Sequence, residues 1–436
     1  MPRGENPAPR RAVAPGGRRA PTRIGSGPPP RRDASAELAR RRRDATQAKI
    51  IRRRRVWVIL AALSLVAATV ASCNLASATG SHGHHPSTSS GPPSSTKTTT
   101  TVMPASFNVG IHTFDLKETG VGIWHVGPAG QQLPGRVLTT EVRYPSLAGA
   151  ASEETVNARP TTVGGPYPVI VFAHGWNTEP SDYEAMLDYL VKAGFVVVSP
   201  IFPDENAVAV AAAGGPGTEA ASDEENDVYS EPGDIVYVLK QLQNIGSQPW
   251  GTNLKSVLNL SDVGLAGQSD GANVVAALAY ASGLASSYAE IPSAPKAVAV
   301  MSGSAWDPEP YGKAIGTYHA TATSPALLQI QSDADGCVPP TSGPTDLFST
   351  LQTGLSSKWW VTLLNANHLA PFAGTSQWAP VVDAVTTQFF ELELNWRSSS
   401  VSASSVQSAG TVSGVAQVTT TVTDATVPHV PLIPGC

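Results

Sequence analysis

The sequence predicts an α/β chain with a mostly parallel central sheet covered by helices on both faces. Three observations carry that expectation. Short, fully apolar runs recur, as at 168–173 and 297–301, and strands apolar on both sides belong in sheets buried on both faces. Segments with helical apolar spacing lie between them, so strand and helix alternate. At 263–273 an apolar run passes through Gly267-Gln268-Ser269-Asp270-Gly271 into a small-residue helical run. That order is strand, sharp turn, helix.

The chain before this pattern is organised differently. Residues 1–55 hold 17 Lys/Arg against four acids, a net +13, while the whole chain is −5 and the remainder therefore −18. Rich in Pro, Gly and Arg, this arm predicts a disordered cytoplasmic flank rather than a nucleic-acid binder. Residues 56–78 begin with an apolar run directly after Arg52–Arg55. They read as a transmembrane signal anchor or export signal, with the bulk of the chain outside the cell. Val70-Ala71-Ser72-Cys73 resembles a lipobox, which would leave Cys73 lipidated. Residues 79–106 are a Ser/Thr/Gly/Pro linker that cannot bury a core, and their histidines read as solvated.

Residues 107–397 predict one catalytic domain. Strands are expected at 137–144, 168–173, 195–199, 297–301, 326–331 and 359–364. Helices are expected at 182–192, at 234–242 (Ile235, Val238, Leu239 and Leu242 at helical spacing) and at 381–394. Residues 206–231, Ala/Gly-rich and then acidic, read as a surface insertion. Residues 398–436 form a Ser/Thr/Val-rich tail without helical periodicity, with 411–422 a candidate edge strand.

The turn around Ser269 would project its hydroxyl at the carboxyl edge of the sheet, with Gly267 and Gly271 relieving crowding and strain. A serine hydroxyl needs a base to remove its proton, and the base needs a carboxylate to fix its tautomer. Both follow at later strand ends. Asp333 and Asp335 come after the strand ending at Gln331, and His368 after the strand ending at Leu364. Spacing leaves the acid open between the two aspartates. One oxyanion donor would be the backbone N–H of Asp270, the residue after the nucleophile.

With these motifs the chain resembles, over residues 135–395, α/β-hydrolases of the group that includes cutinase-like polyester hydrolases, dienelactone hydrolases, and the chlorophyllase and platelet-activating-factor acetylhydrolase relatives. The resemblance implies an α/β-hydrolase fold. It selects Asp335, four positions before Pro339, as the acid, with Asp333 second, and it places His368 in a His-x-Ala-Pro turn. It makes the N–H of Trp176, in His174-Gly175-Trp176, the second oxyanion donor, with His174 a structural brace. Three positions depart from the family pattern. Asp270 stands where an apolar residue is usual, Gln268 where His is common and Ala272 where Gly is common. The Asp270 carboxylate is therefore expected to point away from the oxyanion site.

The expected activity is hydrolysis of carboxylic esters through Ser269, His368 and Asp335 and an acyl-enzyme, without metal or organic cofactor. The substrate would be a small-molecule, lipid or polymeric ester. Trp176, Trp306, Trp359 and Trp360 are candidate apolar pocket walls, with sheet core the alternative for Trp359 and Trp360. A serine peptidase or acyltransferase on the same fold, or an inactive cell-envelope binding protein, are the alternatives. The chain is expected to be a monomer that binds no nucleic acid and meets the membrane through 56–78 or lipidated Cys73. Of its three cysteines, Cys337 and Cys436 are candidates for a disulfide in an exported domain, with two free thiols the alternative.

Overall fold

The computed structural model describes residues 106–431, apart from 118–120, 127–131, 151–152, 217, 219–229, 283–293, 304–316, 342 and 398–399. The expectations for residues 1–55, 56–78 and 79–105, including Cys73, lie outside the described residues, as do Trp306, Cys436 and the acidic residues 223–227. Among the described residues, no helix is long and apolar enough to cross a membrane.

In chain order the strands are β1 (Asn108–Lys117), β2 (Val121–Val126), β3 (Gln132–Pro134), β4 (Val137–Ser146), β5 (Thr155–Val156) and β6 (Tyr167–Ala173). They continue with β7 (Val196–Ile201), β8 (Leu258–Gln268), β9 (Ala297–Met301), β10 (Ala326–Ser332), β11 (Lys358–Leu363) and β12 (Ala416–Thr419). All but β2 and β3 join one ten-stranded sheet in the order β12-β11-β10-β9-β8-β6-β7-β4-β1-β5. The run from β7 to β11 is parallel. Antiparallel β4 and β12 flank it. This is the α/β-hydrolase fold.

Composition explains the centre. Every residue of β6, β9 and β10 is buried, as expected of strands covered on both faces. The main helices are α1 (Glu184–Ala193), α2 (Ala207–Ala212), α3 (Glu231–Gln243), α4 (Thr252–Lys255), α5 (Asp270–Tyr280), α6 (Pro344–Leu351), α7 (Ala379–Glu393) and α8 (Ala403–Ala409). In α1, Met186, Leu187, Leu190 and Val191 form the buried stripe, and Gly194 ends the helix at φ 103°, a left-handed cap that glycine adopts without a Cβ clash. Helix α1 packs beside α7, and α3 beside α5.

Several local expectations need correction. The stretch 206–231 is not wholly an insertion. Asn206 caps α2 through its side-chain oxygen, 3.0 Å from the N–H groups of both Val208 and Ala209, and α3 begins at Glu231. Its buried Glu231 and Asp234 break the apolar pattern that marks a helix start. The tail holds a helix after all: α8 has one buried side chain, Val406, too few to give a period, and its start is set by a Ser402–Ser405 capping box. Residues 416–419 become the edge strand β12, paired with β11. Strand β1, with burial that alternates only over its second half, was not expected.

Candidate active site

The turn between β8 and α5 sets the site. Its strain falls on Ser269 itself, at φ 56° and ψ −120°, a region that non-glycine residues rarely occupy. The flanking glycines serve clearance rather than unusual dihedrals. A Cβ on Gly267 would lie 2.2 Å from the Gly271 carbonyl oxygen, and one on Gly271 would lie 2.2 Å from the Ala173 carbonyl oxygen. The turn is thus pressed against the end of β6, where Ala173 pairs with Gly267. The Ser269 N–H donates to the Met301 carbonyl of β9 at 3.0 Å, tying the turn to the sheet from the other side.

The loops after β10 and β11 bring the other two residues to Ser269. His368 Nε2 lies 2.8 Å from Ser269 Oγ, and His368 Nδ1 lies 2.9 Å from Asp335 Oδ2. Asp335 is fully buried. Its Oδ1 accepts the N–H groups of Cys337 and Val338, each at 2.9 Å, and Oδ2 also accepts from Gln331 Nε2 at 3.3 Å. With this many donors around it, the buried carboxylate is held in one direction. Asp333 does other work: its Oδ1 accepts the Asn365 N–H at 2.5 Å, joining the loops after β10 and β11. Carboxylate, imidazole and hydroxyl in this series permit proton transfer from Ser269 to His368 with the tautomer fixed by Asp335.

The loop after β6 carries Trp176. Its indole Nε1 is buried without a hydrogen-bond partner among the described residues. Asp270 is the first residue of α5, where backbone N–H groups lack partners within the helix. Its carboxylate accepts from the Asn273 side chain at 3.3 Å, one turn along α5. His174 is fully buried, with Nε2 accepting the Phe202 N–H at 2.9 Å and Nδ1 2.9 Å from the Gly175 carbonyl. That pattern fixes the neutral tautomer with the proton on Nδ1, and burial lowers its pKa to about 4. His174 braces the loop.

A cavity of about 320 Å³ opens at Ser269, lined by Trp176, Asn177, Gln268, Cys337, His368 and Leu369 among others, the low end of the range for small-ligand pockets. Trp359 and Trp360 are not among its walls. They are buried in the sheet, where Trp360 packs edge-on against Phe348 and Trp359 against Phe389. Asp335, Cys337 and His368 lie close enough together to suggest metal ligands, but Cys337 is disulfide-bonded and the other two bind each other. The other two cysteines lie outside the described residues.

Two residues at the site escaped sequence reasoning. Tyr183 donates to Gln268 Oε1 at 2.7 Å, and Gln268 Nε2 donates to the His368 carbonyl at 3.2 Å. Gln268 stands out in the sequence only as a departure from the family pattern, without a role, and Tyr183 reads as an ordinary aromatic entering a helix.

This fold, with a strained serine at a strand–helix turn, defines the class: the chain is a member of the α/β-hydrolase superfamily. Its residues 135–291 match the family model described as Chlorophyllase, so the chain is a hydrolase with chlorophyllase relatives. The match runs from β4 past α5. It takes in Trp176, Ser269 and Asp270 and stops before Asp335 and His368. A comparison with curated proteins finds no match.

Proposed function

We propose that the protein is a serine hydrolase that cleaves carboxylic esters. The observation that carries this reading is the unbroken series Ser269 Oγ, His368, Asp335, with contacts of 2.8 and 2.9 Å. Ser269 Oγ attacks the ester carbonyl as His368 Nε2 takes its proton. The C–O bond to the alcohol then breaks, His368 returns the proton to the leaving alkoxide, and an acyl-Ser269 remains. Water, deprotonated by the same imidazole, attacks the acyl carbon and releases the acid and Ser269. Asp335 holds the imidazole and stabilises its cation. The N–H groups of Trp176 and Asp270 are assigned to the oxyanion, and the turn of the Asp270 carboxylate toward Asn273 is compatible with that. A small-molecule, lipid or polymer ester fits equally with this chemistry.

The test is a panel of p-nitrophenyl esters beside peptide anilides, with wild type and Ser269→Ala. Ester turnover that Ser269→Ala abolishes, with no anilide turnover, is expected. Anilide cleavage at a comparable kcat/KM would move the assignment to a peptidase, and no turnover of either would remove it. The proposed setting is extracytoplasmic, with residues 56–78 or a lipidated Cys73 as the tether. Its support is the charge step at Arg52–Arg55 before an apolar run. Intact mass of the membrane-extracted protein distinguishes retention, lipidation and cleavage.

A further inference from the structure

We propose that Tyr183 and Gln268 act as one positioning unit that fixes His368 and the oxyanion loop relative to Ser269. The inference rests on the hydrolytic reading of Ser269, His368 and Asp335 given above.

The hydrogen-bond inventory carries it. Tyr183 is fully buried and Gln268 is 1% exposed. The Gly175 N–H donates to the Tyr183 hydroxyl at 3.3 Å. Thr178 Oγ, 3.1 Å from the same hydroxyl, spends its proton on the Gly175 carbonyl at 2.5 Å. The Tyr183 proton is thereby free to go to Gln268 Oε1, at 2.7 Å. This settles the orientation of the amide: Oε1 faces Tyr183, and Nε2 faces His368. There Nε2 donates to the backbone carbonyl at 3.2 Å and lies 3.4 Å from the ring Nε2.

Three separate segments meet through this pair: the loop after β6 that carries Trp176, the residue preceding the nucleophile, and the loop that carries the base. Gln268 is covalently adjacent to Ser269, so a His368 main chain held to Gln268 is held to Ser269 Oγ. Packing alone does not call for such a pair, because buried polar groups add little stability over apolar ones of the same shape. Proton transfer and attack do depend on geometry, and a shift near 1 Å lowers rates by about a hundredfold.

The experiment measures kcat and KM of the full chain on p-nitrophenyl butyrate for wild type, Tyr183→Phe, Gln268→Met and the double variant, with Ser269→Ala as control. Thermal melts establish that each variant is folded at the assay temperature. Each single variant should lose about tenfold or more in kcat with KM within about twofold. The double variant should fall within about twofold of the worse single, because a unit broken once is already broken. Should Gln268→Met fail to fold, Gln268→Asn keeps the amide but not its reach and carries the same expectation. Folded variants with kcat within about twofold of wild type, or single losses that multiply, overturn the proposal while leaving the hydrolytic reading intact. Turnover that survives Ser269→Ala overturns both.

Discussion

Ser269 and His368, 99 residues apart in the chain, meet with 2.8 Å between Oγ and Nε2. Two independent devices produce the contact. The positive φ at Ser269 lifts its side chain off the end of β8, and Asp335 turns the imidazole from behind. Neither device lies near the other in sequence, and the parallel register of β8, β9, β10 and β11 brings their ends to one edge.

The two candidate acids should separate cleanly in kinetics. Asp335→Asn keeps the shape but presents an amide to His368 Nδ1, so the wrong tautomer is favoured and kcat should fall about 10³–10⁴-fold. Asp333→Asn weakens only the tie to Asn365 and should lower kcat by less than about tenfold. Steady-state kinetics on one ester checks both, and equal losses would contradict the assignment of the acid.

His174 predicts an acid limb in stability. Its pKa is lowered from 6.5 to about 4 by burial. As pH falls from 6.5 toward 4, the unfolded chain binds a proton that the folded chain does not. Stability present above pH 6.5 is therefore lost on acidification, by about 2 kcal/mol from this group between pH 7 and pH 5. Urea unfolding at the two pH values measures the loss. His174→Gln should be less stable at pH 7 but show a shallower fall, and an unchanged fall would contradict the account.

Gly271→Ala tests the clearance at the turn. The added methyl would stand 2.2 Å from the Ala173 carbonyl oxygen and 2.5 Å from that of His174. Both are backbone atoms at the end of β6 and neither side can give way locally, so destabilisation of more than about 4 kcal/mol is expected. Soluble yield and a melting temperature close to wild type would show that the turn has room for a methyl group and contradict this account.

The sheet was largely legible because its central strands are apolar on both faces and the helices between them keep a 3.6-residue stripe. Elements that fail these patterns were lost. Helix α2 is six residues of Ala and Val with one buried side chain, and α8 buries only Val406; the apolar spacing marks α3 from residue 234, and only its first turn, which opens on buried acids, was missed. At the site, residue type and order singled out Ser269, His368 and a pair of aspartates. The link from Tyr183 through Gln268 to His368 was not readable, because hydrogen bonds between polar side chains that are 85 residues apart in the chain leave no periodicity. For Trp359 and Trp360 the sheet-core alternative holds rather than the pocket wall, since adjacent strand residues point to both faces and both faces here are core.

The central claim is that Ser269 is a nucleophile activated by His368. The most direct measurement is fluorophosphonate labelling of the full chain, followed by peptide mapping. A single adduct on the peptide bearing Ser269, absent in Ser269→Ala and formed at least about a hundredfold more slowly in His368→Ala, is the predicted result. No adduct on the folded wild type, or an adduct that persists after Ser269→Ala, would contradict it.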